Sequence, residues 1–249
     1  EFYLTDRTLS AGGNVQLGAG QVLSIDALNQ HQIVINAIMD ACHMQNVPAD
    51  SVLRENGPGQ YEVNVVHVAD ACLAADHATL LKRIVKGCAR QYGMEATFMA
   101  KPYGDQSGSG MHVHCSLLDQ KGKPVFADET GAPTKTLFHG VGGLLATMPD
   151  MMLLFAPHAN SYRRFRKHTH APVSAGWGMD DRSAAVRVIT GKPMETRIEQ
   201  RVSGADWNPY LAVAGVLAGV LHGITEKIEP GAALDPADSG MTGLPLPLE

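Results

Sequence analysis

The chain lacks an excess of basic charge: 20 Lys and Arg stand against 25 Asp and Glu, a formal net charge of −5. Recognition of a nucleic-acid backbone needs a basic surface, so that role is excluded. The run Arg163-Arg164-Phe165-Arg166-Lys167 is too short to reverse it. Close cysteine spacing is also missing. Cys42, Cys72, Cys88 and Cys115 form no Cys-x-x-Cys pair and sit within apolar or helical patterns, so they read as reduced core thiols of a cytoplasmic protein. Long apolar runs are absent as well. The longest, Leu211 to Leu221, has 11 residues against the ~20 needed to span a bilayer, and no membrane association is expected. The chain opens on Glu1-Phe2-Tyr3-Leu4, with neither Met nor a signal sequence, and reads as cut from something longer.

What remains is ordinary globular material, 249 residues with 45% hydrophobic and 18% charged content, enough to bury a core. Glu1 to Leu4 predicts the end of a strand and Ser10 to Gly20 a loop, after which Ser24 caps a helix to about Gln45. A Gly57-Pro58-Gly59 turn, flanked by Glu55 and Glu62, leads into a strand reaching His67, with Glu62 and Asn64 on one face. Helices follow over about Asp76 to Tyr92, Thr136 to Met148 and Asn208 to Ile224. The last is almost wholly apolar and expected to be buried. Thr97 to Lys101 predicts a short strand, Asp119 to Gly122 a hairpin turn, and Glu229 onward an irregular tail.

The densest signal is Gly104-Asp105-Gln106-Ser107-Gly108-Ser109-Gly110-Met111-His112-Val113-His114-Cys115-Ser116. Gly104, Gly108 and Gly110 predict positive φ angles and bare N–H groups for an anion or substrate. From Met111 a period of two puts His112, His114 and Ser116 on one strand face, either as satisfied histidines or as ligands. Arg197, Glu199 and Arg201 share a face of a later strand, and Arg187 lies on another. Arg182 joins Arg187 only if it belongs to the preceding loop. Carboxylates on strand faces and at a turn suit Mg²⁺ or Mn²⁺, and the arginines suit a substrate bearing phosphate and carboxylate. Together they point to phosphoryl transfer. A zinc-dependent hydrolase built from His112-x-His114 and His168-x-His170 is the alternative from another class.

Seven motifs together resemble the glutamine synthetase family, in its γ-glutamylpolyamine (γ-glutamylputrescine) synthetase-like branch. They are Glu1-Phe2-Tyr3, Gly59-Gln60-Tyr61-Glu62, Ala100-Lys101-Pro102, Gly108 to His114, Asn160-Ser161-Tyr162-Arg163-Arg164, Arg197-Ile198-Glu199 and Asn208-Pro209-Tyr210. The resemblance implies an α+β fold, a curved, mostly antiparallel half-barrel sheet backed by helices. It makes residues 1–249 a partial catalytic domain, without the N-terminal β-grasp domain or the C-terminal end. It implies a cytoplasmic enzyme that spends ATP to join L-glutamate to an amine or ammonium through a γ-glutamyl phosphate, with full-length subunits assembled in dodecamer-like rings. Matched by motif, Glu1, Glu55 and Glu62 would hold one Mg²⁺ or Mn²⁺, and His112 and Glu199 a second. Arg164 and Gly108 would contact glutamate, while Arg182, Arg187 and Arg201 would face the transferring phosphate. His114, Ser116 and Arg197 would lie toward the nucleotide. Where the family carries a proton-abstracting glutamate, this chain has His170, and Ser107 replaces the usual Asn. A neutral imidazole supplies no negative charge for ammonium, so the expected acceptor is a polyamine or other primary amine. A glutamine synthetase using ammonia and a catalytically silent relative are the other readings.

Overall fold

Two units, Glu1–Ser109 and Gly110–Glu249, divide the chain. The computed structural model describes residues 1–6, 23–166, 169 and 171–234, so the expected 10–20 loop, His168 and His170 lie outside the described residues.

In the first unit, Phe2–Asp6 (β1), Ala49–Arg54 (β2), Gln60–Val65 (β3) and Met94–Thr97 (β4) form an antiparallel sheet in the order β2-β3-β1-β4. Strand β2 has no clean apolar alternation; its pairing with β3 makes it a strand. The expected strand over Thr97 to Lys101 sits earlier, ending at Thr97. The single helix expected from Ser24 is two, Ile25–Gln30 (α1) and Gln32–Met44 (α2). His31 stands at the break, with its Nδ1 2.6 Å from the Tyr61 hydroxyl. Helix Ala71–Gln91 (α3) begins five residues earlier than Asp76, because Asp70 is the cap: its carboxylate accepts from the N–H groups of Cys72 and Leu73. Gly93, at φ +73°, follows its end. Ile35, Ile38, Cys42, Leu81, Val85 and Cys88 are buried, whereas Cys72 is exposed rather than in the core.

In the second unit, Val113–Cys115 (β5), Trp177–Met179 (β6), Val186–Ile189 (β7) and Arg197–Gln200 (β8) form a sheet in the order β5-β8-β7-β6. It is antiparallel except for β6 with β7. The mixed, mostly antiparallel α+β class holds, with the described strands in two sheets. The strand expected from Met111 shrinks to three residues, but its hairpin survives as a Leu118–Pro124 bridge around Gly122 at φ +77°. Helix Lys135–Thr147 (α4), capped by Thr134, crosses helix Pro209–Glu226 (α7), capped by Asn208. Gly143, Gly219 and Gly223 meet there so closely that a β-carbon on Gly143 would strike the Gly219 carbonyl oxygen. Between these helices lie two short ones, Met152–Phe155 (α5) and Ala159–Tyr162 (α6). The core gathers Phe126, Leu137, Leu144, Met148, Ile198 and Val216.

Two expectations about α7 change. Its 18 residues are long and apolar enough to cross a membrane by length and composition alone. It is also only half buried: the glycine face packs on α4, while Leu211, Leu217 and Leu221 are exposed.

Candidate active site

In the first unit the β2–β3 hairpin is closed by a turn in which the Gln60 N–H donates to the Gly57 carbonyl at 2.9 Å. Pro58 and Gly59 occupy its centre, and Gly59 at φ +75° takes the position that a type II turn reserves for glycine. Gly57 is fixed for another reason: a side chain there would collide with the Tyr3 ring. This turn carries Glu55. Strand pairing sets Phe2 opposite Tyr61, so Glu1 arrives beside Glu62. One carboxylate oxygen from each of Glu1, Glu55 and Glu62 lies within 4.8 Å of the others, an all-oxygen donor set of the kind hard divalent cations take. Partial burial, then the charge of Glu1, pushes the Glu55 carboxyl above its ordinary range, with a hydrogen bond to Glu62 opposing. A like-charged cluster held this way is relieved by a cation, so the residues fit the ion expected for them.

Beside the cluster, the loop through Gly108 is pinned from several directions. The Tyr3 hydroxyl donates to the Ser107 carbonyl at 2.6 Å, Lys101 Nζ to the Gln106 carbonyl, and the Ser109 N–H to the Ala100 carbonyl at 2.8 Å. Gly104, Gly108 and Gly110 do not have the positive φ expected of them; other glycines do. Gly110 serves close approach instead, since a β-carbon there would sit 2.7 Å from His112 Nε2 and 2.9 Å from Arg164 Nη2.

In the second unit the sheet register builds a cluster around Glu199. His114 lies directly opposite it on β5 and Arg187 directly opposite it on β7. Alternation along β8 adds Arg197 on one side and Arg201 on the other. Arg201 Nη1 donates to Glu199 Oε1 at 2.6 Å and Arg187 Nη1 to Oε2 at 3.1 Å, while His112 Nδ1 stands 3.3 Å and His114 Nε2 3.7 Å from Oε1. Burial alone would raise the Glu199 carboxyl. His112 first, then Arg201 and His114, overcome it and hold the group well below the usual carboxylate range. Crowding by protein atoms lowers His114, against Glu199, with Arg197, Arg187 and Arg201 adding to the lowering.

His112 and Glu199 are thus adjacent, as expected, but both Glu199 oxygens already accept from arginines. Among the described residues, only the Glu1, Glu55 and Glu62 group brings one ligand atom from each of three side chains within 4.8 Å of both others. The fit to a second ion is therefore poorer. Arg197 Nε donates to His114 Nδ1 at 3.0 Å, joining two residues expected near a nucleotide. Ser116 is exposed one residue past β5, outside this set. Arg182 does lie in the loop before β7; its carbonyl accepts from Arg201 Nε at 3.0 Å, and its side chain is exposed. Arg164 is buried, with its guanidinium donating to the carbonyls of Val202 and Arg201, each at 2.8 Å.

Sequence reasoning missed three supporting residues. Arg54, with 2% exposure, sends Nη1 to the carbonyls of Glu55, Gly57 and Gln60. Asp180, at φ +50°, pairs with the far edge of Arg187. Asp206 accepts from Ser161 Oγ at 2.6 Å, and Ser161 Oγ in turn accepts from the His158 N–H, fixing the turn that presents Arg164. A fourth, Gln60, shares a β3 face with Glu62, and its alternation carried a readable signal.

Residues 1–242 match the family model described as glutamine synthetase, catalytic domain. The chain is 39% identical over 258 residues to γ-glutamylputrescine synthetase PuuA of Escherichia coli K12, covering 100% of this chain and 55% of that protein. It is 42% identical over 178 residues to the glutamate–isopropylamine ligase of a Pseudomonas species, covering 71% of this chain and 39% of that protein. The structure of GmaS in complex with ADP aligns with a TM-score of 0.86 at 29% identity, over 98% of this chain and 59% of that one. The chain spans about half the length of the PuuA protein it matches.

Proposed function

Because the chain belongs to the glutamine synthetase family, through its catalytic domain, we propose that the protein is an ATP-dependent ligase joining the γ-carboxylate of L-glutamate to a primary amine. The observation that carries the proposal is the Glu1, Glu55 and Glu62 cluster, an oxygen-only cation site in a chain of this family. When bound there, Mg²⁺ or Mn²⁺ supplies charge neutralisation and an anchor for substrate oxygens. A glutamate γ-oxygen attacks the terminal phosphorus of ATP, ADP leaves, and the amine nitrogen displaces phosphate from the resulting acyl phosphate while losing a proton.

The side chains serve this sequence by holding charge in place. Arg187 and Arg201, paired with Glu199, would turn toward the transferring phosphoryl group, and the exposed Arg182 would join them. Arg164, seated on two backbone carbonyls, would meet the α-carboxylate of glutamate, with Gly108 at the substrate's border. His114, Ser116 and Arg197 would lie toward the nucleotide, and His112 with Glu199 would hold a further ion once the arginines yield. His170 takes the position of the family's proton-abstracting glutamate and removes the negative charge that would draw ammonium, which supports a larger amine as acceptor. The names of the two relatives, putrescine and isopropylamine ligases, support the same choice. A cytoplasmic location and a ring-shaped homo-oligomer complete the reading.

The test is an acceptor panel on the intact natural protein. ADP formation is followed with glutamate plus ammonium, putrescine, spermidine, ethanolamine or simple alkylamines. Turnover should require glutamate and an amine together. Glu62→Ala should abolish it with every acceptor, and His170→Glu should shift preference toward ammonium. Ammonium used as well as the best amine would restore a glutamine synthetase, and turnover unaffected by Glu62→Ala would remove the assignment.

A further inference from the structure

Gln60 has 1% of its surface exposed, and both ends of its amide are bonded. The Gly57 N–H donates to Oε1 at 2.9 Å, and that contact identifies the other end as the donor. Nε2 then faces three acceptors: the Gly108 carbonyl at 3.0 Å, Ser109 Oγ at 3.3 Å and Glu1 Oε2 at 3.4 Å. Two N–H hydrogens are shared among three oxygens, so strengthening one bond weakens another. The backbone around Gln60 cannot shift to relieve this competition. Arg54 Nη1 clamps the Glu55, Gly57 and Gln60 carbonyls from within the turn, and Tyr3 packs so closely on Gly57 that a β-carbon there would lie 1.8 Å from its hydroxyl oxygen.

We propose that Gln60 is a positioning residue that couples occupancy of the acidic cluster to the order of the Gly108–Ser109 loop. The inference rests on the cation reading of Glu1, Glu55 and Glu62 and goes beyond it, because it makes cation and glutamate binding mutually dependent through one buried amide. When Glu1 Oε2 turns to a cation, it gives up the longest of the three bonds. Nε2 is then left to the Gly108 carbonyl and Ser109 Oγ, and the loop bordering glutamate tightens. By linkage, glutamate settled against that loop must strengthen cation binding by the same factor.

Hydrogen exchange on the intact natural protein, with Mn²⁺ and without nucleotide or glutamate, tests the coupling in the unaltered molecule. Amides of the 106–109 segment should exchange several-fold more slowly when Mn²⁺ is present, and unchanged exchange would overturn the coupling whatever any variant does. Mn²⁺ titration by electron paramagnetic resonance, with and without glutamate, then assigns it. Glutamate should tighten Mn²⁺ several-fold in the natural protein. Gln60→Met, which keeps the length and removes the N–H groups, should erase most of that gain and weaken Mn²⁺ by about tenfold, the usual effect of losing a group that orients a ligand. A Gln60→Met protein that keeps the full gain would overturn the role of Gln60. Glu62→Gln separates the two readings, because Mn²⁺ affinity unchanged by it would remove the cation site itself.

Discussion

Glu55 and Glu199 are the same residue type, one just past strand β2 and the other within strand β8, and each is partly or wholly buried, yet their carboxyls are displaced in opposite directions. Burial and the neighbouring Glu1 raise Glu55, whereas Glu199, raised by burial alone, is brought far down by His112, Arg201 and His114. The two thiols that burial shifts most, one per unit, show that burial is not the difference. Cys42 is pushed up to about 11 by burial and then by Cys88, and Cys115 to about 11 by burial. The lesson is that neighbours, more than depth, decide what a carboxylate is available for. One cluster gains from an added cation, and the other already has its countercharge in protein side chains.

Removing the Glu199 carboxylate should have the largest effect. Glu199→Ala leaves Arg187 and Arg201 without their shared partner, and losing one side of a buried pair costs about 3–5 kcal/mol. Urea denaturation measures it, and a loss under 1 kcal/mol would break the contrast between the clusters. Next comes the thiol control. At about pH 8, Cys42 and Cys115 should alkylate roughly 100-fold more slowly than exposed Cys72. Rapid labelling of either one alone would mean that burial differs between the units after all.

The pH dependence sharpens the comparison further. A raised carboxyl such as Glu55 contributes stability below its unfolded value and loses it as pH rises through the folded one. Depressed Glu199 contributes stability above its unfolded value and loses it only as pH falls through the folded one. Metal-free protein should therefore give up the Glu55 contribution on raising the pH above the ordinary glutamate range while keeping that of Glu199. Mn²⁺ affinity should fall on acidification, by up to about tenfold per pH unit for one competing proton. A pH-independent Mn²⁺ isotherm would contradict this. Smallest is Glu55→Gln, which relieves like charge and should stabilise the metal-free protein by a few tenths to about 1 kcal/mol while weakening Mn²⁺. Destabilisation would show that Glu55 is held by attraction.

Much of the site was legible because alternation is a local property. The shared face of Glu62 and Asn64, the His112/His114 pair and the Arg197, Glu199, Arg201 row all follow from a period of two, and the seven motifs supplied the family. What alternation cannot reveal is the partner across the sheet. That Glu199 lies opposite both His114 and Arg187 is a matter of register, and β2 exists only because β3 pairs with it. The start of α3 was placed too late because its cap went unread: Asp70, six residues before Asp76, accepts the first N–H groups of the helix. The break at His31 comes with a tertiary contact to Tyr61, thirty residues away. Arg54 was least legible, since a cation before a turn looks solvent-bound until the turn folds over it. The loop glycines were legible as necessary but for the wrong reason, close approach at Gly110 rather than an unusual backbone angle.

At the α4–α7 crossing, main chain rests on main chain where Gly143 of α4 meets Gly223 of α7, each glycine facing only backbone atoms of the other helix. The separation of the two helices is therefore set by the thickness of the polypeptide itself and has no adjustable spacer. Changes elsewhere in the apolar interior can be absorbed by rotamer shifts, but a single added methyl group at this point must push two helices apart. The crossing acts as a fixed ruler: Ile198, the neighbour of Glu199 on β8, packs within 3.3 Å of where a β-carbon on Gly140 of the same helix would stand.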